Sequence, residues 1–425
     1  MQFTRILNAA LPAIASSVLL LSVMGASATT AVAAKPKPTR TPSPTSPPQP
    51  TPTPTAVPGP VCWTVAAVPN IPGYDTELLS VHGSGPNDVW AVGYTSENNA
   101  RHTLILHWNG NAWSTIPSPN PLPDGNNTIN QLNGVYAIAA NDAWAVGYTV
   151  GANDPYRTLT LHWNGATWQS VPSPNLPITR PDIYNALNSV SAVSANDVWA
   201  VGGAPNGVGG ASRAVLMHWN GATWSLTPEP PETGLWSSTG RTGVTAVAAN
   251  DAWAVGQFSA FRWNGSAWAV PAGFSGQNLL GVDHSSLNNV WSVGTIPPSG
   301  GGSEGGGSGP AATAYRFDGA SWAATLPELS LTGNNTAFRG VTVIAPNNVW
   351  AVGWFNRSTM TQRWDGTAWH IVRSADGNPN PDPNSVIGNV LNSVHANSAT
   401  DMWAVGFFYD ASFQSRALIE RYVCQ

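Results

Sequence analysis

From about residue 75 to the end, the chain is built of short apolar runs that alternate with polar turns, and no stretch keeps a helical spacing. The clearest run reads (N/T)-(D/N)-(V/A/M)-W-(A/S)-V-G, with its tryptophan at Trp90, Trp144, Trp199, Trp253, Trp291, Trp350 and Trp403. A second pattern, W-N-G-x-x-W or a close variant, follows the first six: Trp108 to Trp113, Trp163 to Trp168, Trp219 to Trp224, Trp263 to Trp268, Phe317 to Trp322 and Trp364 to Trp369. The spacing of about 52 residues fits a propeller blade and exceeds a solenoid rung. Each unit predicts four short strands, a to d. In the third, these are Asn188–Ser194, Val198–Gly202, Ala214–Trp219 and Thr223–Thr227, with Asn-Gly or Asp-Gly between c and d for a tight hairpin.

The seventh unit stops after a strand c, Leu418 to Cys424, and lacks a strand d. Cys62-Trp63-Thr64-Val65 matches the missing strand, because Trp63 stands where the d-strand tryptophans stand. The expected fold is therefore all-β, a seven-bladed β-propeller of four-stranded blades whose ring is closed by N-terminal strand pairing in the last blade. Cys62 and Cys424, the chain's two cysteines, flank the place where an Asn-Gly turn belongs. A disulfide there would replace the turn covalently.

Composition narrows the function. From Cys62 onward 13 Arg stand against 22 Asp and Glu, a formal net charge of −9, and both lysines, Lys35 and Lys37, precede the repeats. No basic stripe for nucleic acid or anionic lipid exists. Residues 1–34 read as a signal peptide: Arg5, an apolar run from Leu11 to Met24, and small residues at Ala26-Ser27-Ala28 or Ala31-Val32-Ala33 for cleavage. The alternative is a retained anchor, although the run is short and broken by Pro12. Residues 35–60 form a Pro/Thr-rich linker, extended and semi-stiff, and residues 61–425 form the propeller. These features place the protein in a secreted or cell-surface setting, as a monomer with no membrane insertion once the signal is removed.

The repeat resembles the Trp-rich, NDVWAVG-type propeller repeats of proteins exported by bacteria. It is distantly similar to Asp-box propellers such as sialidases and the photosystem II assembly factor. Asp318-Gly319-Ala320-Ser321-Trp322 resembles an Asp-box but is one residue shorter and lacks the leading Ser or Thr. The resemblance covers residues 61–425 and implies fold and export, with no activity attached.

Residues repeated in every unit are scaffold, since one binding site needs one copy. The seven tryptophans should pack between blades. The residue before each c-strand aromatic is basic, and an Asp or Asn lies two before each b-strand Trp. Antiparallel b and c strands predict hydrogen-bonded pairs: Asp88 with His107, Asp142 with His162, Asp197 with His218, Asp251 with Arg262, and Asp401 with Arg421. The same logic pairs Asn289 with Arg316 and Asn348 with Arg363.

Function is expected on the face carrying the b–c and d–a connections, which read as long and varied. There, Trp354, Phe407, Tyr94 and Tyr148 follow V-G in contiguous blades. They offer either an arc that stacks on sugar rings or packing between blades. Trp236, outside the repeat, is a candidate exposed anchor. Asp376, Asn378, Asn380 and Asp382 alternate oxygen donors, as a calcium loop or as a polar turn. His82, His395 and Asp283 follow the strand-a valine and could border a channel and bind a cation, or face neighbouring blades. No other cofactor is implied. The leading reading is a non-catalytic recognition module for an extracellular glycan or protein. The alternatives are a glycoside-acting enzyme (hydrolase or sialidase-like) and a purely structural surface protein. The enzyme requires two carboxylates about 5–10 Å apart. Acids outside the repeated turns, such as Asp75, Glu77, Glu229 and Asp410, scatter over loops, and no arginine cluster with Tyr and Glu is evident.

Overall fold

Residues such as Val89-Trp90-Ala91-Val92 are apolar on both sides of the strand, and in the computed structural model they are buried on both sides. That pattern belongs to strands covered on two faces. The structure describes residues 62–71, 75–152, 154–177, 185–204, 213–230, 243–257, 259–271, 278–296, 310–328, 335–379 and 388–424. The expected signal and linker lie outside the described residues, as do Trp236, Asn380 and Asp382.

The described residues are all-β and repeat one antiparallel order, a-b-c-d. Five sheets have four strands each, and a sixth joins the first two units through one parallel bridge, Arg101 to Ile129. In the first unit the strands are Asp75–Gly85, Asp88–Glu97, Ala100–Trp108 and Trp113–Thr115. In the third they are Ala186–Ser194, Asp197–Ala204, Arg213–Trp219 and Trp224–Leu226. Strands a to c therefore start one or two residues earlier than the sequence pattern suggests, because ladder pairing extends into the polar turn.

The last sheet takes its outer strand from the other end of the chain. Trp63–Val65 pairs antiparallel with Ser415–Tyr422, with Trp63 opposite Tyr422 and Val65 opposite Glu420. Cys62 and Cys424 form a disulfide with Cα atoms 5.2 Å apart, inside the usual span. Val423 N–H donates to the Cys62 carbonyl at 3.1 Å, so covalent and backbone bonds close the same corner.

Tryptophans fill the spaces between sheets. Trp90 lies 4.9 Å from Trp163 and 5.2 Å from Trp168 of the next unit, the second contact at 86°. The same edge-on contact joins Trp144 to Trp224, Trp199 to Trp268, Trp253 to Trp322 and Trp291 to Trp369. Trp350 meets Trp63 at 6.1 Å, and Trp403 meets Trp113 at 5.2 Å. All seven b-strand tryptophans are fully buried, and edge-to-face aromatic pairs contribute about 0.5–1.5 kcal/mol beyond the area they bury.

Two glycines explain conserved-looking letters of the repeat. Gly93 sits against a β-bulge in strand a, where a Cβ would collide with the Glu77 carbonyl. Gly110 of the c–d turn has φ 92°, while Asn109 caps the turn, its Oδ1 accepting the Asn111 and Ala112 N–H groups at 3.0 Å each. Only the glycine of Asn-Gly takes a positive φ, so the connection is a four-residue Asx turn and not a two-residue hairpin.

Candidate functional site

The repeated polar pairs come first, because they define what is scaffold. His107 Nε2 lies 2.7 Å from Asp88 Oδ1, His162 2.8 Å from Asp142, and His218 2.7 Å from Asp197. Arg262 makes two bonds to Asp251, at 2.8 and 2.9 Å, and Arg421 bonds Asp401 at 2.9 Å. Arg316 reaches Asn289 at 3.2 Å and Arg363 reaches Asn348 at 2.9 Å. Partial burial alone would raise Asp88, but bonds from His107, Ser84 and Trp90 outweigh it and hold the carboxyl below its ordinary range. Each basic group also lies over its own b-strand Trp, as His107 does on Trp90 at 4.1 Å and Arg421 on Trp403 at 4.8 Å.

The proposed aromatic arc needs correction. Tyr94, Trp354 and Phe407 are only 6%, 8% and 5% exposed. Trp354 and Phe407 belong to one apolar cluster with Ala337 and Val390. The position after V-G still lies within strand b, so neighbouring strands cover it and its ring offers no open face. Tyr148 is half-buried and stacks on Tyr156 at 5.3 Å.

Of the four residues considered for calcium, Asp376 and Asn378 are described, and both are engaged in the fold. Asp376 Oδ1 accepts the Thr359 N–H at 2.8 Å and its hydroxyl at 3.1 Å. Asn120 and Asn175 hold Thr103 and Thr158 in the same way, each at 2.8 Å, so Asp376 is the acidic version of a repeated loop clamp. Asn378 donates to the Tyr409 carbonyl at 2.9 Å. Among the described residues no group of three or more His, Cys, Asp or Glu is arranged to hold a metal.

The strand-a positions considered for a cation bridge adjacent units instead. His82 Nδ1 accepts the Ala137 N–H at 3.1 Å, and Asp283 accepts the Val343 N–H at 2.7 Å. His82 packs against His395 at 4.3 Å. Burial lowers His395 to about 4 and pushes Asp283 up to about 6. A neutral imidazole that accepts a backbone proton has no lone pair left on that nitrogen for a metal.

What the structure does assemble is a polar and aromatic cluster at the b–c and d–a end of the strands. Arg101 Nη1 donates to Gln131 Oε1 at 2.6 Å, and the Tyr148 hydroxyl donates to the same oxygen at 3.2 Å. Gln131 Nε2 continues to Asn133 Oδ1 at 2.8 Å, and Asn133 reaches the Leu187 carbonyl at 2.7 Å and Asn188 Oδ1 at 3.3 Å. The Arg101 guanidinium lies 4.2 Å over the Tyr94 ring, and Tyr94 stands opposite Glu77 across strands a and b. Burial and the Glu77 charge raise Tyr94 well above the usual phenol range. From the sixth and seventh units, Arg339 donates to Asn392 at 2.6 Å, and Asn392 donates to the Leu78 carbonyl at 2.7 Å.

These residues share a structural origin. Strand a carries a bulge between Leu132 and Gly134, Leu187 and Ser189, Phe338 and Gly340, and Leu391 and Ser393. The extra residue in each is Asn133, Asn188, Arg339 or Asn392, and a bulge re-aims its side chain out of the alternating register. Sequence reasoning missed them, although Leu-Asn-(Gly/Ser)-Val at residues 132, 187 and 391 was a visible signal. It also missed the meeting of Arg101 with Tyr94 and Glu77, which strand pairing alone brings about.

The b–c connections, expected to be long, are short in two units. Two residues suffice in the first unit, Asn98-Asn99, and in the sixth, Asn356-Arg357. At the opposite end, between the fourth and fifth units, a shallow hollow of about 450 Å³ is lined by Val247, His284, Leu287 and Asn288. It is formed from repeat turns, and its His284 is bonded to Thr245 at 2.7 Å.

No family model matches this chain, and no curated protein does. Among solved structures it is similar to the phage phi92 endosialidase, with TM-score 0.49 and 10% identity over 86% of this chain and 70% of that one. It is similar to the six-bladed beta-propeller lectin of Aleuria aurantia, with TM-score 0.41 and 11% identity over 82% and 93%. It is also similar to the extracellular domain of a hybrid two-component system from B. thetaiotaomicron, with TM-score 0.46 and 11% identity over 85% of this chain. This chain spans 42% of the length of that last structure. At these identities and TM-scores the likeness assigns no activity to the chain.

Proposed function

We propose that the protein is an exported seven-bladed β-propeller that recognises an extracellular glycan without acting on it chemically. Seven blades and a closed ring are supported by the tryptophan contacts, which run unit to unit and return from Trp403 to Trp108 and Trp113. Export is supported by the Cys62–Cys424 disulfide, since such bonds persist in oxidising compartments.

The observation that carries the recognition reading is the Glu77–Tyr94–Arg101–Gln131–Tyr148 cluster. It gathers a guanidinium, a carboxamide, a carboxylate and a phenol hydroxyl near one rim, the donors and acceptors that a hydroxyl-rich ligand requires. Most other acids are committed to scaffold. Asp75 accepts from Ser415 N–H at 2.9 Å and Ser96 at 3.2 Å, and Glu229 holds Arg213 and the Ala214 N–H. Affinity electrophoresis in xylan, β-glucan or polygalacturonate gels tests this. Arg101→Leu and Gln131→Leu should each weaken binding at least tenfold with the unfolding midpoint largely kept. Unchanged migration of both variants overturns the site.

A glycoside-acting enzyme is the second reading, favoured by one observation. Glu77 stands opposite Tyr94 across strands a and b, and a carboxylate can take a proton from a nucleophilic phenol. Release of reducing ends from any of these polysaccharides would replace the binding reading with this one.

A further inference from the structure

Among the described residues, five other than glycine adopt left-handed φ angles: Asn98, Asn99, Asn127, Asn356 and Phe413. Four are asparagines, whose short polar side chain tolerates that conformation. Asn98 and Asn99 form the b–c turn of the first unit, and Asn356 opens that of the sixth. In the seventh unit the b–c loop places a phenylalanine at φ 58° instead. A bulky residue there costs about 1–2 kcal/mol, and Asn would make the same turn without that cost.

Burial does not offset the strain. Phe413 is 62% exposed and is the only exposed Phe, Tyr or Trp among the described residues. Its loop is nevertheless held firmly. Asp410 accepts from Ser412 N–H at 2.8 Å, Gln414 N–H at 3.1 Å and Arg416 Nε at 2.7 Å. The Phe413 N–H donates to the Asp410 carbonyl at 3.0 Å, and Arg416 also bonds Gln414. A ring that serves neither the core nor the turn, on a loop fixed in one shape, is pre-organised for contact with something else.

We infer that Phe413 contacts the ligand, its ring stacking on the C–H face of a sugar; this rests on the glycan reading above. The surroundings favour a saccharide over a protein. Protein interfaces centre on clustered apolar anchors, whereas within its loop, residues 410–414, Phe413 is the one exposed large hydrophobic. It is flanked by Ser412 and Gln414, whose hydroxyl and amide N–H can bond the hydroxyls around a sugar ring.

The test compares wild type, Phe413→Asn and Phe413→Trp in pull-downs on insoluble xylan, β-glucan, chitin and cross-linked polygalacturonate, with thermal unfolding of each. Wild type should be retained on at least one matrix. Phe413→Asn should lose at least tenfold in affinity while its unfolding midpoint stays or rises, because Asn relieves the strain. Phe413→Trp should keep binding. Equal retention of Phe413→Asn and wild type overturns the assignment of Phe413 and leaves the glycan reading standing. If wild type is retained on none of the four, the glycan reading fails and the assignment falls with it.

Discussion

Trp403 stands edge-on to Trp113, their ring centroids 5.2 Å apart and their planes at 90°, although 290 positions of sequence separate them. The contact repeats, at the junction of the last and first units, the geometry that Trp90 and Trp168 make between the first and second. On the other side of the last sheet Trp63 packs on Trp350, so the strand Trp63–Val65 completes the contact with the sixth unit, and the disulfide holds it there.

Reducing the disulfide, or Cys424→Ser, should therefore cost about 2–5 kcal/mol, the usual range for a native bridge. The corner around residues 62–66 should lose amide protection before the rest of the chain. Hydrogen exchange with and without reductant checks this, and identical protection in both states would contradict it.

Glu420 is fully buried, with Ser374 Oγ at 2.7 Å from one carboxyl oxygen. Burial, with Asp376 adding to it, pushes the group up to about 8 from an ordinary 4.5. The folded state thus prefers the protonated form. Its contribution is whole below about pH 4.5 and fades as pH rises through about 8, at about 1.4 kcal/mol per pH unit at most. The adjacent unit carries neutral Gln362 at the same place. Glu420→Gln should match wild type near pH 4.5 and gain a higher unfolding midpoint at pH 8. A gap that does not widen with pH would refute the charge argument.

Glycine positions separate sharply. Gly93→Ala would drive a Cβ into the Glu77 carbonyl, with no side chain able to yield, and should cost about 3 kcal/mol or more. Gly85→Ala meets nothing within 4 Å and should lie within about 1 kcal/mol of wild type, on the stabilising side. Urea unfolding of both variants decides, and similar midpoints would overturn the close-approach explanation.

The polar pairs should rank by burial. Asp251 is 4% exposed and is held by two bonds from Arg262, and those bonds hold the guanidinium above its ordinary range. Asp142 is more open and meets His162 through one nitrogen. Asp251→Ala should cost about 2–3 kcal/mol and Asp142→Ala about 1. The reverse order in chemical unfolding would show that the pairs do not set stability through buried charge.

The sequence by itself determined the strands, the repeat, the basic and acidic partners across strands b and c, and the pairing of the chain's two ends. These are read from local alternation and from a pattern copied many times, so any single ambiguous stretch is corrected by its counterparts. Tertiary structure alone decided which rim residues stay open. Tyr94, Trp354 and Phe407 look like a platform when aligned by motif, yet they are covered by neighbouring strands that the motif does not include. Asn133, Arg339 and Asn392 acquire their place from bulges, which shift a side chain out of register without changing the apolar pattern. Glu420 and Phe413 stand out only once burial and backbone angle are known, because each is unusual for its surroundings and not for its place in the repeat.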